Sequence, residues 1–190
     1  MGITYEEAEK LLGEWTGSPA LIGHARAVEA SMRKAAHAYG RGADDETTWA
    51  IVGLLHDADY DRWPDEHPAR IVAWLRERDE QSMARAVEVH IHSPEFPAET
   101  PLEKALLACD ELTGFVMACA LVRPEGIATL EPKSVLKKLK DKGFAAKVDR
   151  DVVRSGAELL GVDLSKQIQL VIDALKPHAE ALGIGGTAGR

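Results

Sequence analysis

The chain is short of cysteine, of long apolar runs, of positive charge and of any alternating strand pattern. Each shortage excludes something. Cys109 and Cys119 lie ten residues apart in one helical stretch. A straight helix would separate them by about 15 Å, too far to pair, so they read as reduced core thiols of a cytoplasmic protein. No run approaches the roughly 20 consecutive apolar residues that cross a bilayer. The opening MGITYEEAEKLLGEW lacks the basic start and apolar stretch of a secretory signal. Glu6 stands where a myristoylation signal has Ser or Thr, so lipidation is not expected. Lys and Arg number 23 against 31 Asp and Glu, and the formal net charge of −8 argues against general nucleic-acid binding. Internal repeats and the glycine signatures of Rossmann and phosphate loops are also missing from the sequence.

What is present is helical pattern, in a chain whose 45% apolar and 28% charged content is ordinary for a globular protein. A length of 190 residues suits one domain with a core, or one domain with a small appendage. Thr4 with Glu7 forms a capping box opening a helix to about Trp15. Ser18-Pro19 starts a long helix that Gly40 ends, and Asp44 or Asp45 caps a third reaching about His56. After a loop from Asp59 to Pro64, helices are expected over Pro68 to Arg78 and Glu80 to Ile91, followed by a loop at SPEFPAE. Thr100 with Glu103 is a second capping box, opening a helix that Arg123-Pro124 stops. Three more are expected over Pro132 to Lys142, Asp151 to Leu160, and Leu164 to Leu182, the last kinked or split at Pro177. The closing GIGGTAGR has little side chain to pack and is expected to be disordered. The fold class is therefore all-α, a bundle of irregular connectivity with about 8–9 helices.

Helical spacing also sorts the ionisable residues. Leu21, Ala25, Val28, Met32, Ala35 and Tyr39 form an apolar stripe, with His24 inside it. His56 and Asp57 follow directly on the apolar Ile51, Val52, Leu54 and Leu55. His67 lies one turn before Ile71, and His90 shares a face with Met83 and Val87. Asp110 shares one with Leu106, Thr113 and Met117. Taken singly, an inward histidine is more commonly a hydrogen-bonded core residue, and Asp110 would serve equally as the partner of an arginine. Together, four imidazoles and two carboxylates make the ligand set of a divalent transition metal, with Mn, Fe, Co, Ni and Zn all suited. His37, His92 and His178 read as surface or supporting residues.

The ordered set His24, His56-Asp57, His67, His90, Asp110 on a helical chain resembles the HD superfamily of metal-dependent phosphohydrolases, in its branch with two metals. The runs GHARAVEASMRKAA, LLHDADYDRWPDEHP, ACDELTGFVMACALVRP and KSVLKKLKDKGFAAKVDR look like a group of small bacterial HD-domain hydrolases, a resemblance covering about residues 10 to 175. It implies a single domain over 1–182, with a metal-ligand core at about 20–123, a helical extension at about 124–182, and the tail at 183–190. It also implies one ion held by His24, His56, Asp57 and Asp110, and a second held by His67 and His90 with Asp57 bridging. The implied reaction is hydrolysis of a phosphomonoester or nucleotide-like phosphoester by metal-activated water, on a small phosphorylated substrate. Three residues after the HD aspartate, where many members carry Lys or Glu, this chain has Tyr60, which offers only a hydroxyl. Asp61 is the neighbouring carboxylate able to orient water or protonate a leaving group, against a plainer reading as a solvated loop residue. Lys133 and Lys137, on one helical face, and Arg123 are the cations expected to attract the phosphate, although such a face is often simply solvated. Two other readings keep the fold: a di-iron oxygenase acting on a small polar substrate, and a catalytically silent module stabilised by metal.

Overall fold

Local signals set most helix starts. The Thr4 hydroxyl accepts the Glu7 N–H while the Glu7 carboxylate accepts the Thr4 N–H, and Thr100 and Glu103 repeat this arrangement. Ser18, Asp149 and Asp163 cap three further helices with their side chains. The computed structural model describes residues 2–40, 45–91 and 97–187. Among them are the helices α1 (Tyr5–Trp15), α2 (Pro19–Tyr39), α3 (Asp45–Leu55), α4 (Ala69–Arg76), α5 (Gln81–Val89), α6 (Pro101–Leu121), α7 (Pro132–Leu139), α8 (Arg150–Leu160) and α9 (Leu164–Leu175), and no strand. The fold is all-α, as expected. Asp44 and the first four residues of SPEFPAE lie outside the described residues.

Three expectations are corrected. α7 ends at Leu139, short of Lys142, because the next segment follows Arg150: its guanidinium gathers the carbonyls of Asp141, Phe144, Ala145 and Val148. α9 ends at Leu175, well before Leu182, with Pro177 in the single 3-10 turn Lys176–His178 that follows. The expected disorder of 183–190 does not hold for 183–187. Ile184 is buried, its N–H bonds the Ala179 carbonyl at 2.8 Å, and its own carbonyl accepts the Ile127 N–H at 2.9 Å. The Thr187 N–H reaches the Pro124 carbonyl at 2.8 Å. Gly126 and Gly186 have positive φ, and a Cβ on either would collide with the backbone of the opposing segment. The glycines that made this stretch look unpackable are what permit the close approach.

The two longest helices, α2 and α6, have 21 residues each, about 30 Å, and contribute to both apolar cores. α3 lies along α2, α8 along α6, and α9 against both long helices. One apolar core gathers α1, α3, α4, α5 and the first half of α6, ending at Cys109. A second gathers α7, α8, α9, Ile184 and the second half of α6 from Leu112 onward. α2 contributes to both, with Val28 and Met32 in the first and Ala27 and Ala30 in the second. Asp110 stands on α6 between the two.

Candidate metal centre

The centre begins with how α3 ends. Gly53 faces α2 so closely that an added Cβ would lie 2.9 Å from the Val28 carbonyl oxygen and 3.0 Å from the Glu29 Cα. This pins the last turn of α3, and the His56 N–H continues the helical ladder to the Val52 carbonyl at 3.0 Å. Tight turns follow, with Ala58 N–H to Leu55 and Tyr60 N–H to Asp57 carbonyls, both 3.0 Å. His56 is thereby buried completely, with Asp57 beside it at a partly open edge.

Asp57 divides its two oxygens between two sets of imidazoles. Oδ2 lies 3.9 Å from His24 Nε2 and 3.4 Å from His56 Nε2. Oδ1 lies 3.4 Å from His67 Nε2 and 3.3 Å from His90 Nε2. Asp110 Oδ1 closes the first set, 3.0 Å from His24 Nε2 and 3.3 Å from His56 Nε2. The groups His24–His56–Asp57 and Asp57–His67–His90 each place ligand atoms close enough to hold one ion. All six residues singled out by helical spacing come together, from α2, the ends of α3 and α5, the turn before α4, and α6.

Hydrogen bonding shows what the inward nitrogens need. His56 Nδ1 donates to the Gly53 carbonyl at 2.8 Å, and His90 Nδ1 donates to the Val87 carbonyl. His67 Nδ1 donates to Asp59 Oδ1 at 2.6 Å. A carbonyl or an ionised carboxylate only accepts, so each ring in its neutral form carries its proton on Nδ1 and turns the Nε2 lone pair inward. His67 Nε2 and His90 Nε2 then face each other at 3.2 Å as two acceptors, and buried His56 Nε2 has no hydrogen-bond partner. Lone pairs converging around a shared carboxylate fit a divalent cation and leave a neutral core unsatisfied.

Asp59 is the functional residue that helical spacing missed. It is fully buried, in the turn between helices, where no periodicity applies. Oδ1 holds His67, and Oδ2 accepts the Ile71 N–H at 3.0 Å in the first turn of α4, which has no side-chain cap from its own Pro68. One carboxylate thus caps a helix and orients a ligand ring. Asp59→Asn is expected to weaken metal affinity about 10–100-fold with helix content unchanged, measured by competition against a chelator. Unchanged affinity would assign Asp59 to α4 alone.

Burial opposes charge on His56, but the carboxylates of Asp57 and Asp110 outweigh it and raise the imidazole pKa well above 6.5. Burial likewise opposes charge on Asp57 and Asp110, yet the facing histidines hold both below the usual carboxylate range. In the metal-free protein the His56 charge therefore stabilises the fold below the ordinary histidine value, and that stabilisation is lost as pH rises through the raised value. An ion needs the neutral ring, so its affinity moves the opposite way. The expected result is a gain in Tm on adding metal that widens as pH rises toward the raised histidine value, measured by thermal melts with and without chelator. A constant gain would remove His56 from the ligand set.

The remaining sequence-based candidates make their contacts elsewhere. Asp61 Oδ2 accepts the N–H groups of Gly17 and Ser18 at 2.8 and 2.9 Å, tying its loop to the α1–α2 connection. Lys133 is exposed on α7, and Lys137 and Arg123 line a cavity that none of the six ligand residues lines. Tyr60 is 47% exposed and sits edge-on to the His67 ring, with centroids 5.3 Å apart. His37 pairs with Glu46 at the surface, His178 is exposed, and His92 lies outside the described residues. Both cysteines are free and buried. No described helix is long and apolar enough to cross a membrane. None of the protein-family models, curated proteins and solved structures compared with the chain matches it.

Proposed function

We propose that this chain is a metal-dependent hydrolase of the HD type, acting in the cytoplasm on a small phosphomonoester or nucleotide-like phosphoester. The observation that carries this reading is the Asp57 carboxylate, whose two oxygens face two separate imidazole pairs. The charge balance supports a phosphate substrate. Two divalent ions with the carboxylates of Asp57, Asp110 and the adjoining Asp59 and four neutral imidazoles leave a net positive charge of about +1, which attracts an anionic phosphoester. Divalent ions held there would lower the pKa of water and offset charge developing on the phosphoryl oxygens.

The chain's own residues supply position. His56, His67 and His90 are each tethered through Nδ1, which keeps their rings from swinging as substrate enters. Tyr60, exposed and edge-on to the His67 ring with no hydrogen bond to its hydroxyl among the described residues, is the neighbouring donor available to a bound phosphoryl group. With Asp61 engaged by backbone, the proton for the leaving group falls to Tyr60 or to solvent.

The test is metal analysis of the purified protein, followed by a panel of phosphoesters with Mn, Fe, Co, Ni or Zn, run with and without oxygen. One or two ions per chain and hydrolysis independent of oxygen are expected. Well under one ion per chain, with none recruited on addition, would overturn the metal centre. A requirement for oxygen would replace the hydrolase with the di-iron oxygenase. Full metal loading without any turnover would leave a metal-stabilised binding module.

A further inference from the structure

The sequence KSVLKKLKD sets Ser134, Lys137, Lys138 and Asp141 three, four and seven positions along one face of α7 and the turn after it. That face opposes the C-terminal end of α6, and between them lies a cavity of about 370 Å³. Its far side is formed by Cys119, Arg123 and the apolar Val122 and Leu130. We infer that this cavity between α6 and α7 is a second binding site, separate from the metal centre, for a small organic phosphate.

Charge points to the ligand class. Three cations, Arg123, Lys137 and Lys138, meet one carboxylate, in a chain whose net charge of −8 gives no general reason for a basic cavity. The Asp141 carboxylate is partly committed, since Oδ1 accepts the Gly143 N–H at 3.1 Å and Oδ2 stands 3.9 Å from Lys138 Nζ. Lys137 forms no ion pair among the described residues. Arg123 donates through one terminal nitrogen to the Thr129 carbonyl and hydroxyl, at 3.1 and 2.9 Å, which fixes its guanidinium. The Arg123 side chain lines the cavity with its charge unpaired by any carboxylate among the described residues, leaving a guanidinium available to an oxyanion. Burial pushes the Cys119 thiol up to about 11 despite Lys138 and Arg123 nearby, so it stays neutral and adds no opposing charge.

Size and wall chemistry refine the class. The volume lies within the range of small-molecule sites. Val122 and Leu130 offer apolar surface that a bare phosphate ion would leave unused, whereas an organic phosphate covers it. The Ser134 hydroxyl supplies a further neutral donor. Separation from the metal centre follows from α6 itself: Cys119 is nine residues beyond Asp110, about 13 Å along the helix.

The experiment uses the full chain freed of metal by chelation, so its outcome is independent of the hydrolase reading. Phenylphosphonate, which carries the anion and an apolar ring and is not hydrolysed, is titrated while backbone amide NMR shifts are followed. Saturable shifts confined to about residues 119–141 are expected, persisting in Asp57→Asn. Lys137→Glu, at an exposed position, should weaken binding about tenfold or more without changing the remaining spectrum, and Lys138→Glu, half-buried over the Phe144 ring, should weaken it as much with further shifts confined to Asp141 and Phe144. Absence of saturable shifts in this region, shifts centred on His24 and His56, or binding undiminished in both lysine variants would each overturn the site.

Discussion

Replacing Asp57 by alanine is expected to empty both halves of the metal centre at once, whereas His67→Ala should lose one ion and keep the other. The reason is geometric. Asp57 is the residue common to both ligand groups, with Oδ2 toward His24 and His56 and Oδ1 toward His67 and His90. Removing it also takes from the first half the carboxylate that, with Asp110, balances an ion among buried groups. The checks are metal content after gel filtration and the Tm gained on adding metal. An ion present at a thousand times its Kd contributes about 4 kcal/mol to the wild-type fold, a gain that Asp57→Ala should lose. If the variant keeps one ion at unchanged affinity, the shared-carboxylate arrangement is wrong and the two halves are independent.

Gly53→Ala should be the most damaging single methyl added near the site. Its Cβ would lie 2.9 Å from the Val28 carbonyl oxygen, 3.0 Å from the Glu29 Cα and 2.9 Å from the Met32 Cγ. Two of these are backbone atoms of α2, which cannot rotate away, so α2 and α3 must part. Overpacking of this kind costs about 1–3 kcal/mol, or about 3–10 °C in Tm for a chain of this length. The shift also carries the Gly53 carbonyl, the anchor of His56 Nδ1, so metal affinity should fall with stability. Gly13→Ala in α1 is the control: nothing lies within 4 Å of its Cβ position, and helix propensity favours a small gain. Equal Tm in the two variants would refute the close packing of α2 on α3.

The elements that were legible in the sequence are those written in local code. Thr4 with Glu7, Thr100 with Glu103, and Ser18-Pro19 mark helix starts through contacts within four residues, and the structure keeps all of them. The inward histidines were legible because helix periodicity assigns a face before any partner is known. Asp59 was not, since it sits in a turn, and its partners His67 and Ile71 are eight and twelve residues away. Nor was the packing of Ile184, which depends on Gly126 meeting Gly186 across some sixty residues. Pro177 did advertise a break in the last helix, but only the fold decided that α9 would not resume beyond it. Asp61 looked chemically suited by its neighbours in sequence, while its actual partners, Gly17 and Ser18, come from another loop.

The two long helices work as a pair of crossed beams, each bolted into both halves of the building. His24 rides on one beam and Asp110 on the other, 3.0 Å apart, at the level where the two halves join. A slip of one half against the other would therefore register first as a gap between those two atoms. Asp57, His67 and His90 lie wholly on one side of that joint, whereas the group that His24 and Asp110 complete spans it, so an ion seated there would act as the keystone across the joint.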